Sequence, residues 1–191
     1  GEGTEGFNFL LDIIKKTGLP SSLFLPTHVN RNKDLLERSI EYIKNHGVVD
    51  LTTSSVTGLD DPELSAGGSL RYLLENDVQI SALSFSSDGN GSLPVVDEKG
   101  NITGLGIGSV ALLFHEVKKA VEEYKVDLAL ALSLITANPA ERLKLFDRGR
   151  IEAGKRADLV FLDKELEIMS VISGGKLMME EGKLIYKETY E

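Results

Sequence analysis

The chain alternates between helix-like and strand-like segments from its first residues, and that order restricts its fold more than any other feature. Phe7, Leu10, Leu11 and Ile14 recur at spacings of three, four and seven, which predicts an amphipathic helix over residues 6–18. Lys15 and Lys16 suit its last turn, and Gly18 suits its stop. Leu23-Phe24-Leu25 is a short apolar run that reads as a buried strand ending at Pro26-Thr27-His28. A second helix fits 33–45, where Leu35, Leu36, Ile40 and Ile43 share a face, with Gly47 as its stop. The β-branched stretch 48–53 predicts a strand, 68–75 a looser helix and 80–85 a third strand. Helix alternating with strand is the pattern of a parallel α/β sheet.

Beyond the third strand lies a polar, glycine-rich loop, Ser86-Ser87-Asp88-Gly89-Asn90-Gly91-Ser92. Residues 93–107 read as irregular, with a turn at Glu98-Lys99-Gly100-Asn101. Helices are predicted over 109–124 and 127–136. Asn138-Pro139-Ala140-Glu141 reads as a capped helix start. From Gly149 the character changes to short alternating segments at 157–162, 168–173, 176–179 and 183–186, separated by glycine-rich turns, so the tail reads as all-β. The 191 residues are too few to close a (β/α)8 barrel, which takes about 200–250 or more. The chain is therefore a small open sheet or the later portion of something larger.

Composition excludes several functions. Thirty acidic against 21 basic residues give a net charge of −9, which argues against a nucleic-acid surface. No apolar run approaches the ~20 residues that span a bilayer, and no secretory signal is visible. Zero cysteines exclude a disulfide scaffold, a thiolate metal site and a cysteine nucleophile.

Functional groups in parallel α/β folds gather at the carboxyl ends of strands. His28 and Arg31 follow the first predicted strand; Asp88 and Ser92 follow the third. Imidazole and carboxylate both ligate zinc-like cations, and a guanidinium can grip a carboxylate at two points. Taken singly, the same residues also read as a hydrogen-bonded strand-end histidine, a surface charge at a helix start and a turn aspartate. The loop fails as a calcium site, with Leu93 and Lys99 where glycine and glutamate are required. Neither glycine cluster completes a phosphate-binding fingerprint. His46 reads as a partner of a helix C-terminus, and His115 as a residue inside an amphipathic helix.

Three segments together carry a family resemblance: Leu25-Pro26-Thr27-His28-Val29-Asn30-Arg31, Ser86-Ser87-Asp88-Gly89-Asn90-Gly91-Ser92 and Ile151-Glu152-Ala153-Gly154-Lys155-Arg156-Ala157-Asp158-Leu159-Val160. They resemble the amidohydrolase superfamily and, within it, the isoaspartyl (β-aspartyl) dipeptidases. The tail motif is shared by many amidohydrolases; the first two segments are specific to the isoaspartyl branch.

The resemblance implies a metal-dependent (β/α)8 barrel with a small β-sandwich. Residues 1–147 would supply about strands six to eight with their helices, and 148–191 the last sandwich strands. It implies a binuclear zinc centre, with His28 and Asp88 as metal ligands and Asp88 also as the catalytic base and acid. Arg31 and Ser92 would bind the two carboxylates of a β-aspartyl dipeptide. The remaining ligands have no counterparts in the sequence, so the resemblance makes this a C-terminal portion with little activity of its own. It also implies a cytoplasmic protein, and the exposed strand edges of such a portion predict association with copies of itself or with an N-terminal part. Two other readings compete: an amidohydrolase acting on cyclic amides or bases, and a non-catalytic α/β binding module.

Overall fold

In a computed structural model, the structure describes residues 4–54, 64–97, 99 and 101–186. The chain forms two compact units, Gly1–Asn138 and Pro139–Glu191. The first is α/β. Helix α1 (Thr4–Thr17) ends where Gly18 turns left-handed at φ 69° and donates to the Ile14 carbonyl. Helix α2 (Lys33–Lys44) starts at Asn32, whose side chain accepts from Leu35 N–H. After α2 it is His46 that adopts the left-handed conformation, φ 64°. Gly47 has another role, because a Cβ there would collide with the Tyr42 ring and carbonyl.

Strand β1 (Val49–Thr52) runs parallel to β2 (Leu83–Ser86), in register Asp50 to Ser84 and Thr52 to Ser86. Between them lies α3 (Ala66–Glu75), capped by the Ser65 hydroxyl, which accepts from Gly68 N–H. Helices α4 (Leu112–Glu122) and α5 (Leu128–Ser133) follow, α5 capped by Asp127. The strands divide their side chains by face. Val49, Leu51, Leu83 and Phe85 point into one apolar core with Leu36, Leu70 and Val117 from the helices. Fully burying such side chains contributes roughly 1.5–3 kcal/mol each. The other face is polar: Asp50 and Thr52 on β1 stand against Ser84 and Ser86 on β2.

Four expectations need correction. Residues 23–25 form no buried strand: Leu23 is 65% exposed and Leu25 42%. A 3-10 turn over Ser21–Leu23 replaces the start of the expected strand, and the Tyr42 hydroxyl takes up the Ser21 and Phe24 carbonyls. Pro26 lacks an N–H and only accepts, from Asp50 N–H at 2.9 Å. The strand expected over 80–85 begins only at Leu83, after a 3-10 turn over Ile80–Ala82.

The stretch expected to be irregular contains a hairpin, β3 (Ser92–Val96) paired antiparallel with β4 (Ile102–Ile107) and carrying a bulge beside Val96. Of the turn expected in it, Glu98 and Gly100 lie outside the described residues. Asn138 is not a cap but lies inside α6 (Ala137–Arg142), where its side chain donates to the Ile80 and Leu83 carbonyls at 2.7 and 2.9 Å.

The second unit is a four-stranded antiparallel meander, β5 (Leu159–Leu162), β6 (Ile168–Ser173), β7 (Lys176–Glu180) and β8 (Lys183–Leu184), in that spatial order. Asp158 ties its turns together. Its Oδ1 accepts from Gly174 N–H at 2.7 Å and from Arg156 Nε at 2.9 Å, and these bonds hold its carboxyl below the usual range. Gly174 and Gly175 take φ 57° and 81° in the β6–β7 turn, a conformation suited to glycine.

Candidate active site

The polar face of the β1–β2 pair leads to a cluster at the carboxyl ends of the strands. At its base, Asp50 is buried, with Oδ1 accepting from the Ser84 hydroxyl at 2.7 Å and Oδ2 from the Ser86 hydroxyl. Burial pushes the Asp50 carboxyl above its ordinary value, against the opposing hydrogen bonds from Ser86 and Ser84.

Above Asp50, the turn after residue 26 carries His28 and Arg31, and the loop after β2 carries Asp88. His28 Nε2 lies 3.4 Å from Asp88 Oδ1, with the two side chains 34% and 32% exposed, so a ligand can reach both. Arg31 approaches the other oxygen, Oδ2, at 3.6 Å. Its terminal nitrogen donates to the Ser54 hydroxyl at 2.8 Å, and Ser54 in turn reaches Asp88 Oδ2 at 3.2 Å. Among the described residues, Arg31 Nε is buried without a hydrogen-bond partner.

Local backbone chemistry sets these positions. His28 and Asp88 both adopt left-handed conformations, φ 62° and 48°, at single-residue turns that Asp and His tolerate better than most residues. The glycines around Asp88 are required by close approach. A Cβ on Gly91 would lie 2.8 Å from the Asp88 carbonyl oxygen, and one on Gly108 would lie 2.5 Å from it. One on Gly89 would collide with Val110. Gly91 N–H donates to the Asp88 carbonyl and Gly108 N–H to the Gly91 carbonyl, each at 2.8 Å, which closes the loop on itself.

The structure thus brings together three of the four residues singled out in the sequence. The fourth, Ser92, is exposed at the first position of β3 opposite Ile107, and among the described residues no side-chain hydrogen bond or ion pair joins it to the other three. Sequence reasoning missed Asp50, Thr52 and Ser54. The signal was polar alternation: Asp50, Thr52 and Ser54 at every second position face Ser84, Ser86 and Asp88 at every second position.

Two donors bound to a tetrahedral zinc at about 2.0–2.2 Å sit about 3.3–3.6 Å apart, so the His28–Asp88 spacing fits a shared cation. No group of three or more His, Cys, Asp or Glu side chains among the described residues is arranged to hold a metal. No described helix is long and apolar enough to cross a membrane.

The chain is similar over its whole length to two solved structures. One is the β-aspartyl dipeptidase of Fervidobacterium islandicum AW-1 in complex with β-Asp-Leu: TM-score 0.84, 35% identity, 100% of this chain and 48% of that one. A second structure of β-aspartyl dipeptidase from the same organism gives a TM-score of 0.81 at 31% identity, covering 100% and 47%. Among curated proteins, adenine deaminase 2 of Carboxydothermus hydrogenoformans is 42% identical over 74 residues, 38% of this chain and 13% of that protein. The chain spans about half the length of these solved relatives, and its match spans far less of the deaminase. The sequence profile of the amidohydrolase family matches residues 7–178, and with nearly the whole chain inside that match, the protein belongs to the amidohydrolase family.

Proposed function

We propose that this chain carries one side of the active site of a zinc-dependent hydrolase that cleaves β-aspartyl (isoaspartyl) dipeptides. The observation that carries the reading is the convergence of His28 Nε2 and Asp88 Oδ1 at 3.4 Å with Arg31 beside them. The likeness to a dipeptidase bound to β-Asp-Leu supports the substrate class.

In this reading His28 and Asp88 hold zinc, and the other ligands of a binuclear centre come from outside these residues. The extended segment before Pro26, β1 and β2 are then strands six, seven and eight of a (β/α)8 barrel, with β5–β8 part of a small β-sandwich. Bound zinc would supply Lewis-acid polarisation and lower the pKa of water to about 7. Asp88 accepts a proton from the attacking water and returns it to the departing amine, as general base and then acid. Arg31 grips a substrate carboxylate. Its buried, unpartnered Nε supports that role, because an unmet buried donor costs about 1–3 kcal/mol and a carboxylate on that edge satisfies it. Ser92 would donate its hydroxyl to the second carboxylate.

The likeness to adenine deaminases favours a second reading, deamination of a base. A neutral base gives Arg31 nothing to hold, whereas a dipeptide gives it an anion. Steady-state assays of the intact, zinc-loaded protein on β-Asp-Leu, adenine and a cyclic amide separate the two. Turnover confined to the dipeptide is expected, with little or none from the 191-residue chain alone. Adenine deamination without dipeptide cleavage overturns the reading.

A further inference from the structure

Ser54 joins the two halves of the site. It is buried two residues beyond the end of β1, and its hydroxyl has three neighbours: Arg31 at 2.8 Å, Thr52 Oγ1 at 2.7 Å and Asp88 Oδ2 at 3.2 Å. Elementary donor–acceptor chemistry orients every hydrogen. A guanidinium only donates, so Ser54 Oγ accepts from Arg31. An ionised carboxylate only accepts, so the single Ser54 hydroxyl hydrogen goes to Asp88 Oδ2. Thr52 must then donate its own hydroxyl hydrogen to Ser54 Oγ, and Thr52 Oγ1 accepts the Ser54 backbone N–H at 3.2 Å. The cluster has one consistent direction, from Arg31 and Thr52 through Ser54 to Asp88.

Arg31 itself forms an ion pair with Oδ2 at 3.6 Å, beyond hydrogen-bond range, so the hydrogen-bonded link between the two runs through the Ser54 hydroxyl. Accepting from a cation strengthens the hydroxyl as a donor. Occupying Oδ2 in this way leaves Oδ1 turned toward His28.

We infer that Ser54 is a positioning residue: it selects which oxygen of Asp88 faces the metal, and it couples that choice to the guanidinium that holds the substrate carboxylate. The inference rests on the site reading given above. A carboxylate arriving at Arg31 draws on the same cation that Ser54 uses, so occupancy of the grip is felt at Asp88 one hydrogen bond away.

The test compares wild type, Ser54→Ala, Ser54→Thr and Asp88→Asn in the intact protein. It measures kcat and KM on β-Asp-Leu, and zinc affinity by chelator competition. Loss of a side chain that orients a metal ligand costs about 10- to 100-fold in activity or metal affinity, which is the drop expected for Ser54→Ala. KM should not rise, because Arg31 loses a competing acceptor. Ser54→Thr, which keeps the hydroxyl, should recover to within about threefold of wild type in both readouts.

A Ser54→Ala variant within about twofold of wild type in kcat and zinc affinity overturns the inference, as does equal loss in the Ala and Thr variants. If that happens while Asp88→Asn is inactive, only the role of Ser54 fails and the site reading stands. Zinc binding without dipeptide turnover overturns the substrate assignment and leaves zinc affinity to decide Ser54. A wild-type protein that binds no zinc overturns both.

Discussion

The Asn30 side chain pairs with the main chain of Thr52 as a neighbouring strand would. Its Oδ1 accepts the Thr52 N–H at 2.8 Å, and its Nδ2 donates to the Thr52 carbonyl at 2.9 Å. The same Nδ2 reaches the Leu64 carbonyl at 3.1 Å. Asn30 stands between His28 and Arg31 in sequence, so this clamp fixes the turn carrying both to the end of β1.

Asn30→Ala strands three backbone polar groups, two of them on buried Thr52. A destabilisation of about 2–4 kcal/mol is expected in urea unfolding, since each unmet group costs about 1–3 kcal/mol and water recovers part of it. A change below about 0.5 kcal/mol would mean that the clamp is replaceable by solvent.

Removing either His28 or Asp88 should empty the zinc site that the pair is assigned to. In the intact protein, His28→Ala and Asp88→Ala should each lower kcat by at least about 100-fold, more than loss of a supporting residue does. Metal analysis of the purified variants should show depleted zinc. Zinc and turnover both surviving in either variant removes that residue from the site.

Tyr42→Phe isolates one hydroxyl. The ring keeps its edge-on packing against Phe7, at 5.4 Å between centroids, while the Phe24 carbonyl loses the hydroxyl and the Ser21 carbonyl keeps only the Phe24 N–H at 3.0 Å. A loss of about 1–2 kcal/mol in unfolding free energy is expected. An unchanged midpoint would show that those carbonyls are already satisfied by water.

Asp50 makes stability depend on pH in a direction set by its environment. Its folded pKa is raised above the unfolded value of 3.8, mainly by burial, so ionisation costs more in the folded chain than in the unfolded one. The stability contributed by its neutral form is complete below that unfolded value and is lost as pH rises through the folded one. Asp50→Asn cannot ionise. Its melting temperature relative to wild type should therefore climb between about pH 3 and pH 7, and a flat difference contradicts the raised pKa.

Where side-chain pattern and local geometry agreed, the fold was legible. The stripe of Phe7, Leu10 and Ile14 and the stop at Gly18 identified α1, and the glycine-punctuated alternation of the tail identified its four strands. Three kinds of information were hidden. The hairpin β3–β4 carries Pro94 and alternating glycines, which read as loop, and Leu105 and Ile107 are exposed at 75% and 78%, so burial left no periodic trace. The apolar run at 23–25 looked buried because nothing in the sequence announced that a tyrosine hydroxyl 18 residues beyond Phe24 would take its carbonyl.

In the site, His28, Arg31 and Asp88 stood out through their motifs. Asp50 and Ser54 did not, because a β-branched strand was read for its apolar members alone. Pairing two strands was needed to see that their polar positions coincide.

His28 and Asp88 hold backbone angles that glycine would adopt without penalty, while a side chain there costs of order 1 kcal/mol. Glycine at 28 would relieve the backbone alone, whereas glycine at 88 would also strip Ser54 and Arg31 of the carboxylate they share, so a screen for thermal tolerance would erode the first position sooner than the second.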